Sequence, residues 1–333
     1  MVNKKSPDKI LIIRFSSIGD IVLTTPIIRC IREQLPETEI HYLTKKQFQP
    51  LLSANQNIHR IWLFEDDFDK LIPQLKSIHF DFIVDLHRNF RSRYVVMKLG
   101  RPSASFPKLN IRKWLVVNLK INLLPLVHIV DRYFKAVRKL NLRNDGNGLD
   151  YFIPGSDEVD LTGVLPSTDI EFIAFSIGGK HYTKILPEDK VVEICKGLKK
   201  PVILLGGAED RERGDRIAGK SGSRVINGCG KFQINQSASV IRQSSKVITN
   251  DTGLMHIAAA FRKPIISVWG NTIPGFGMYP YLPADSGGSS KIMEVKDLHC
   301  RPCSKIGFDK CPKNHFRCMN DQDVESIIRY LNE

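Results

Sequence analysis

Short apolar runs alternate along this chain with longer stretches of mixed polarity. Lys9 to Phe15 reads KILIIRF and Phe80 to Leu86 reads FDFIVDL, with shorter runs at Ile40 to Leu43 and Ile61 to Phe64. Their length and branching predict buried strands. The intervening stretches predict helices over Ile21 to Leu35, Gln47 to Ala54 and Phe68 to Ile78. This alternation is that of a parallel, right-handed α/β domain. Breakers then cluster between Asn144 and Pro166, in NDGNG and PGS, where a linker is expected.

A second alternation follows. Strands are predicted at Phe172 to Ile177, Val202 to Leu205 and Arg224 to Asn227, and helices at Pro187 to Leu198, Glu209 to Lys220 and Asn235 to Arg242. Lys246 to Gly270 then reads as strand, Asn-Asp-Thr-Gly turn, helix from about Leu254 to Phe261, and strand from Pro264 to Trp269. Asp321 to Asn332 is a final amphipathic helix. The expected organisation is a Rossmann-like domain over 1–150, a second over 165–320 and a terminal helix over 321–333.

The 333 residues suffice for two such domains, each with its own core. Charge changes the picture more than composition does. The chain carries 49 Lys and Arg against 35 Asp and Glu. From Arg88 to Arg143 there are fourteen basic residues and one acid, Asp131, with helices expected around Ile111 to Leu119 and Val130 to Leu140. A field so concentrated suits a polyanionic partner, such as phosphorylated lipid heads, nucleic acid or a phosphosugar; a solvated basic face is the plain alternative. Lys4 and Lys5 precede an apolar run too short for a secretory signal. Leu115 to Val130, broken by Asn118, Lys120, Asn122 and Pro125, could lie against a membrane but should not cross one. A cytoplasmic location follows as the expectation. There, seven cysteines point to thiols or metal ligands before disulfides.

Two common nucleotide motifs are disfavoured. One glycine, Gly19, follows the first strand where the dinucleotide fingerprint wants three. Gly178-Gly179-Lys180 lacks the upstream glycine and the Ser or Thr of a P-loop. Asp20 stands at the carboxyl end of the first strand, beside Ser16 and Ser17, where it could serve as a general base or simply favour a helix start. Asp251, Thr252 and Gly253 hold the corresponding place in the second domain, where a helix start offers free N–H groups to an anion. Lys184 can reach a diphosphate held there. Glu209 and Glu212 are placed to accept from ribose hydroxyls, and His256 lies one turn into the helix after Gly253.

Three motifs, RFSSIGDIVLTTP (Arg14 to Pro26), TKILP (Thr183 to Pro187) and NDTGLMHIAAAFRKPIISVWG (Asn250 to Gly270), together resemble the ADP-heptose:lipopolysaccharide heptosyltransferases. The family often has an aromatic where Leu186 stands. The resemblance runs from about Lys9 to Val324 and implies two facing Rossmann-like domains, the GT-B arrangement. It implies Asp20 as catalytic base, Lys184 against the donor diphosphate, and Asp251, Thr252, Gly253 and His256 on the donor side, where the position of Glu209 and Glu212 after a strand also puts them unless they are plain helix-surface acids. Ser17, Gly19, Arg88 and Arg91 are expected on the acceptor side. The implied donor is ADP-heptose and the implied acceptor an inner-core sugar of lipopolysaccharide, reached from the inner face of the membrane, with no cofactor required. Two alternatives stand beside it: a GT-B transferase of another nucleotide sugar, and a non-catalytic nucleic-acid binder working through the basic segment. Cys300, Cys303, Cys311 and Cys318 have the spacing of a compact structural zinc site, with His299 or His315 as substitute ligands, or of unpaired thiols.

Overall fold

The computed structural model describes residues 6–165, 171–283 and 289–333. Pro166, at the end of the expected linker, and Lys4 and Lys5 lie outside them. The chain divides into two compact units. One comprises Met1–Lys108 and Val127–Pro154, the other Leu109–Leu126 and Gly155–Glu333. Residues 109–126, which the sequence places inside the first domain, therefore pack with the second unit.

In the first unit β1 (Lys9–Ile13), β2 (Glu39–Lys45), β3 (Arg60–Phe64), β4 (Phe82–Asp85) and β5 (Ser103–Ser105) form one sheet in the order β3-β2-β1-β4-β5. All its pairings are parallel, with Ile13 beside Leu43 on one side and Asp85 on the other. The central strand is apolar because helices cover both faces of such a sheet. The predicted helix over 21–35 is two helices, α1 (Ile18–Val22) and α2 (Thr25–Gln34). Thr24 and Thr25 donate their hydroxyls to the carbonyls of Ile21 and Val22, and Pro26 opens the second helix. Gln47 to Ala54 holds only a 3-10 turn, Lys46–Leu51, which contains Pro50.

α3 (Phe68–Ser77) starts at Asp67, whose carboxylate accepts from Lys70 N at 3.1 Å. The hydrophobic pattern predicts neither α4 (Phe90–Leu99) nor β5. α4 is marked instead by its ends: Asn89 caps it, and Gly100 closes it at φ +60°. α5 (Asn110–Asn118) and α6 (Ile129–Val137) follow. Arg29 of α2 gathers the end of the unit, donating to Asp145, Asp150 and the Gly148 carbonyl.

The second unit has β6 (Ile173–Ser176), β7 (Val202–Leu205), β8 (Val225–Asn227), β9 (Lys246–Asn250), β10 (Ile265–Trp269) and β11 (Ser290–Glu294) in the order β11-β10-β9-β6-β7-β8. All are parallel. Besides α5, its helices are α7 (Glu188–Gly197), α8 (Arg211–Ser221), α9 (Ile234–Gln243), α10 (Gly253–Ala260), α11 (Arg317–Asn320) and α12 (Val324–Asn332). Ile327 and Leu331 of α12 are buried in the same core as Ile173, Phe175 and Ile248, so the terminal helix completes this unit. Among the described residues no helix is long and apolar enough to cross a membrane.

Each sheet reverses its direction of growth once, between β1 and β4 in the first unit and between β6 and β9 in the second. Loops leaving the two strands at such a switch diverge and leave a crevice at the carboxyl ends. Asp20, Arg88, Lys184 and Asp251 to Gly253 follow the ends of these four strands, whereas Glu209 and Glu212 follow β7.

Candidate active site

In the first unit the turn after β1 carries Asp20. Burial opposes the charge of Arg14, but the Asp20 carboxylate beside it keeps its pKa above the ordinary arginine value. Arg14 Nη2 lies 2.5 Å from Asp20 Oδ1, while its Nε donates to Ser16 O at 2.7 Å and its Nη1 to Leu86 O. The other carboxylate oxygen of Asp20 accepts from Ser17 Oγ at 2.8 Å and from Ser17 N at 3.3 Å. Asp20 is thus fixed on both oxygens, yet its side chain keeps 21 % of its exposure. Gly19 is buried in α1.

The loop after β4 leaves beside it. Buried Asp85 accepts from the backbone N–H groups of His87 and Arg88 and from Ser92 Oγ. That fixes Arg88 at φ +52°, and its guanidinium turns back to Phe106 O at 2.8 Å. Arg91 is exposed, 3.8 Å from Asp66. Burial, then the charges of Arg14 and Lys108, push the His87 imidazole down to about 3. His87 is therefore neutral at physiological pH, and its Nδ1 has no hydrogen-bond partner among the described residues. Lys108 is lowered by its own burial and by Arg14.

In the second unit the loops after β6 and β9 meet. Lys184, ending the 3-10 turn Tyr182–Lys184, lies with its Nζ 2.6 Å from Asp251 Oδ2. Thr272 Oγ1 donates to the same oxygen at 2.8 Å. Thr252 holds the N-cap position of α10 without a side-chain capping bond, its hydroxyl lying 3.3 Å from that of Thr249, and Gly253 is the first residue of the helix. Asn250, fully buried, donates Nδ2 to the carbonyls of Ile177 and Gly178 and accepts from Leu186 N. Arg213 donates to the Ile177 and Leu186 carbonyls from another side. The loop carrying Lys184 is therefore held from two directions. A Cβ on Gly179 would crowd the Ile185 side chain at 3.2 Å and meet the Thr252 methyl at an ordinary contact distance of 3.5 Å.

A family model described as glycosyltransferase family 9 (heptosyltransferase) matches residues 68–306, well over half of the chain. The chain belongs to that family. It is 24 % identical over 327 residues to lipopolysaccharide heptosyltransferase 1 of Pseudomonas aeruginosa, covering 89 % of this chain and 86 % of that one. Among solved structures it resembles a family 9 glycosyl transferase of Veillonella parvula at TM-score 0.79, with 19 % identity and 97 % and 95 % of the two chains covered. It also resembles an E. coli heptosyltransferase with ADP-2-deoxy-2-fluoro heptose, at TM-score 0.68, 19 % identity and 97 % and 98 % coverage. The two parallel-sheet α/β units are thus those of a family 9, GT-B chain.

Within this family 9 chain Lys184, Asp251, Thr252 and Gly253 form one cluster. Glu209 and Glu212 are exposed on the loop and helix after β7, and His256 is packed inside α10 at 2 % exposure. The acid that organises the β7 loop is their neighbour Asp210. It is buried, accepts from Gly207 N at 3.0 Å, and its carboxyl is pushed up by that burial. Adjacent acids cannot be told apart in sequence, and only the packing separates them. Arg14 carried one available signal, a charge ending an otherwise apolar strand.

The four candidate cysteine ligands are free thiols. Cys300 Sγ lies 3.7 Å from His315 Nε2, and burial lifts the Cys318 thiol to about 12. No three His, Cys, Asp or Glu side chains among the described residues converge on a metal-binding point.

Proposed function

We propose that this enzyme transfers heptose from ADP-heptose to an inner-core sugar of lipopolysaccharide with inversion at the anomeric carbon. The observation that carries the reading is a division of labour between two switch-point turns. One holds a partly exposed carboxylate by an arginine and a serine. The other sets a lysine beside a helix start whose N-terminal flanking residue is Thr252. The relatives support the same chemistry: one is a lipopolysaccharide heptosyltransferase, and another is solved with an ADP-heptose analogue.

In this reading Asp20 accepts the proton of the acceptor hydroxyl as its oxygen bonds to the anomeric carbon. ADP departs with the bonding electron pair from the opposite face. Charge grows on the diphosphate, and fixed donors aimed at it lower the barrier. Lys184, the N–H groups at the start of α10 and the Thr252 hydroxyl are those donors, with Asp251 and Thr272 keeping the lysine in place beforehand. Glu209 and Glu212, exposed after β7 at the carboxyl end of the same sheet, would accept from the ribose hydroxyls. Arg88 and Arg91 supply positive charge for a phosphorylated acceptor.

The test is consumption of ADP-heptose in the presence of a truncated lipopolysaccharide acceptor, with the anomeric configuration of the product read by NMR. Release of ADP with transfer of an inverted heptose supports the proposal. Preference for a UDP sugar, or a retained configuration, overturns it.

A further inference from the structure

Half of the large apolar side chains exposed among the described residues fall in one short stretch. Ile111, Trp114, Leu119, Ile121, Leu123 and Leu126 are 48–100 % exposed, with Leu126 wholly so. They lie on α5 and the chain just after it, where Val116 is the only buried residue of the helix. Residues 109–126 include Arg112, Lys113 and Lys120 and no acid. The stretch is also moored. Lys120 Nζ donates to Pro302 O at 2.7 Å and to Cys300 O at 3.3 Å, and Lys113 Nζ lies 5.4 Å from the Phe276 ring centroid.

Beside this mooring is a cavity of about 720 Å³. Lys120, Lys313, Arg317, His299 and His315 stand in its wall, with Asp297 as the single acid. Arg317 is shared with Asp321, whereas Lys313 is exposed. An apolar ridge thus adjoins a cationic hollow on one unit of the protein.

Exposed apolar patches of this kind mark contact surfaces, and their chemistry selects the partner. A second copy of the chain would bring the same positive charges against these. A nucleic acid would suit the cations but leave six apolar side chains without a place. An anionic bilayer satisfies both halves, with hydrocarbon for the ridge and phosphate for the hollow.

We propose that residues 111–126 settle into the interface of a membrane containing anionic phospholipid, with a headgroup phosphate in the hollow lined by Lys313 and His315. The stretch lies in the interface plane without crossing. The proposal goes beyond the transfer chemistry and does not depend on it.

Flotation of the full-length protein with vesicles of phosphatidylglycerol in phosphatidylcholine, against phosphatidylcholine alone, tests it without donor or acceptor. Trp62 and Trp269 are buried, so Trp114 should report insertion by a blue shift and by quenching from brominated chains. The triple variant Ile111→Ser, Leu123→Ser, Leu126→Ser should lower vesicle partitioning by about tenfold or more. Lys313→Glu should reduce the preference for anionic vesicles about fivefold or more. Turnover on a soluble acceptor sugar should be the same in the triple variant as in the parent, so failure of docking and failure of the transfer reading are told apart. Absence of flotation, unchanged partitioning in the triple variant, or equal binding to neutral vesicles overturns the proposal. So does a concentration-dependent dimer that the triple variant abolishes, since a second copy would then cover the ridge.

Discussion

Asp20→Asn should separate chemistry from packing in a single substitution. The buried Arg14 guanidinium has three acceptors, two of them carbonyls that the substitution leaves alone. Asparagine can still offer Arg14 an oxygen, but not a charge, and its NH2 then faces Ser17 and cannot accept from the Ser17 N–H. A hydrogen bond to a charged partner contributes about 1.5–3 kcal/mol, against about 1 kcal/mol for a neutral one. The loss at Arg14 is therefore about 0.5–2 kcal/mol, with about 1 kcal/mol more for the Ser17 N–H bond, and for a unit of this size the sum should lower Tm by roughly 3–12 °C. Turnover should fall about 100-fold or more through loss of the proton acceptor. Donor affinity, set in the other unit, should stay within about twofold. Calorimetry with ADP, a thermal melt and initial rates measure the three quantities on one preparation. Turnover within about threefold of the parent, with donor affinity intact, would refute Asp20 as the base. An unchanged Tm together with a large loss of turnover would refute the ion pair as a structural element while leaving the base in place.

Other expectations follow from the same geometry. Lys184→Gln should cut kcat/KM for the donor by about 10–100-fold, since it removes the charge that the proposed transfer sets against the leaving diphosphate, with little change in acceptor KM. Gly206→Ala should destabilise by about 1–3 kcal/mol and weaken donor binding, because the new Cβ would sit 2.7 Å from Asp210 Oδ2 and 2.8 Å from its Cβ. Chemical denaturation of the variant and ADP titration read both effects. His87 is held neutral in the fold, with a pKa of about 3, below its unfolded value near 6.5. Between those values the unfolded chain binds the extra proton, so stability should be full above about pH 6.5 and fall as pH drops toward 3. His87→Gln should shallow that acid limb in urea melts taken at stepped pH, whereas an identical limb would mean that His87 does not contribute to it.

Much of the fold could be read from the chain because parallel strands buried on both faces leave unbroken apolar runs. β7 is such a run, as is β1 after Lys9, and β10 is broken only by Ser267. β5 is not, since Ser-Ala-Ser on a sheet edge carries no apolar pattern. α4 was hidden by its own basic residues and is legible only through Asn89 and Gly100. In 109–126 the apolar residues, read from sequence as a stretch that could lie against a membrane, are largely exposed. At the candidate site, Asp20, Lys184 and the Asp251-Gly253 turn were legible because they follow strand ends. Arg14, Asn250, Asp210 and Arg213 were not, because each acts by bridging segments far apart in sequence. Glu209 and Asp210 differ only in which one the sheet buries.

The chain passes from one unit to the other three times, at 108–109, 126–127 and 154–155. Neither half can be excised as a single length of polypeptide. A fragment of 155–333 made on its own would lack the helix whose Val116 is buried and whose Lys120 ties down the carbonyls of Cys300 and Pro302. Such a fragment should express poorly unless 109–126 is restored to it through a designed loop. Shuffling halves between relatives would carry the same requirement, since the stretch must travel with the partner it packs on and not with its neighbours in sequence.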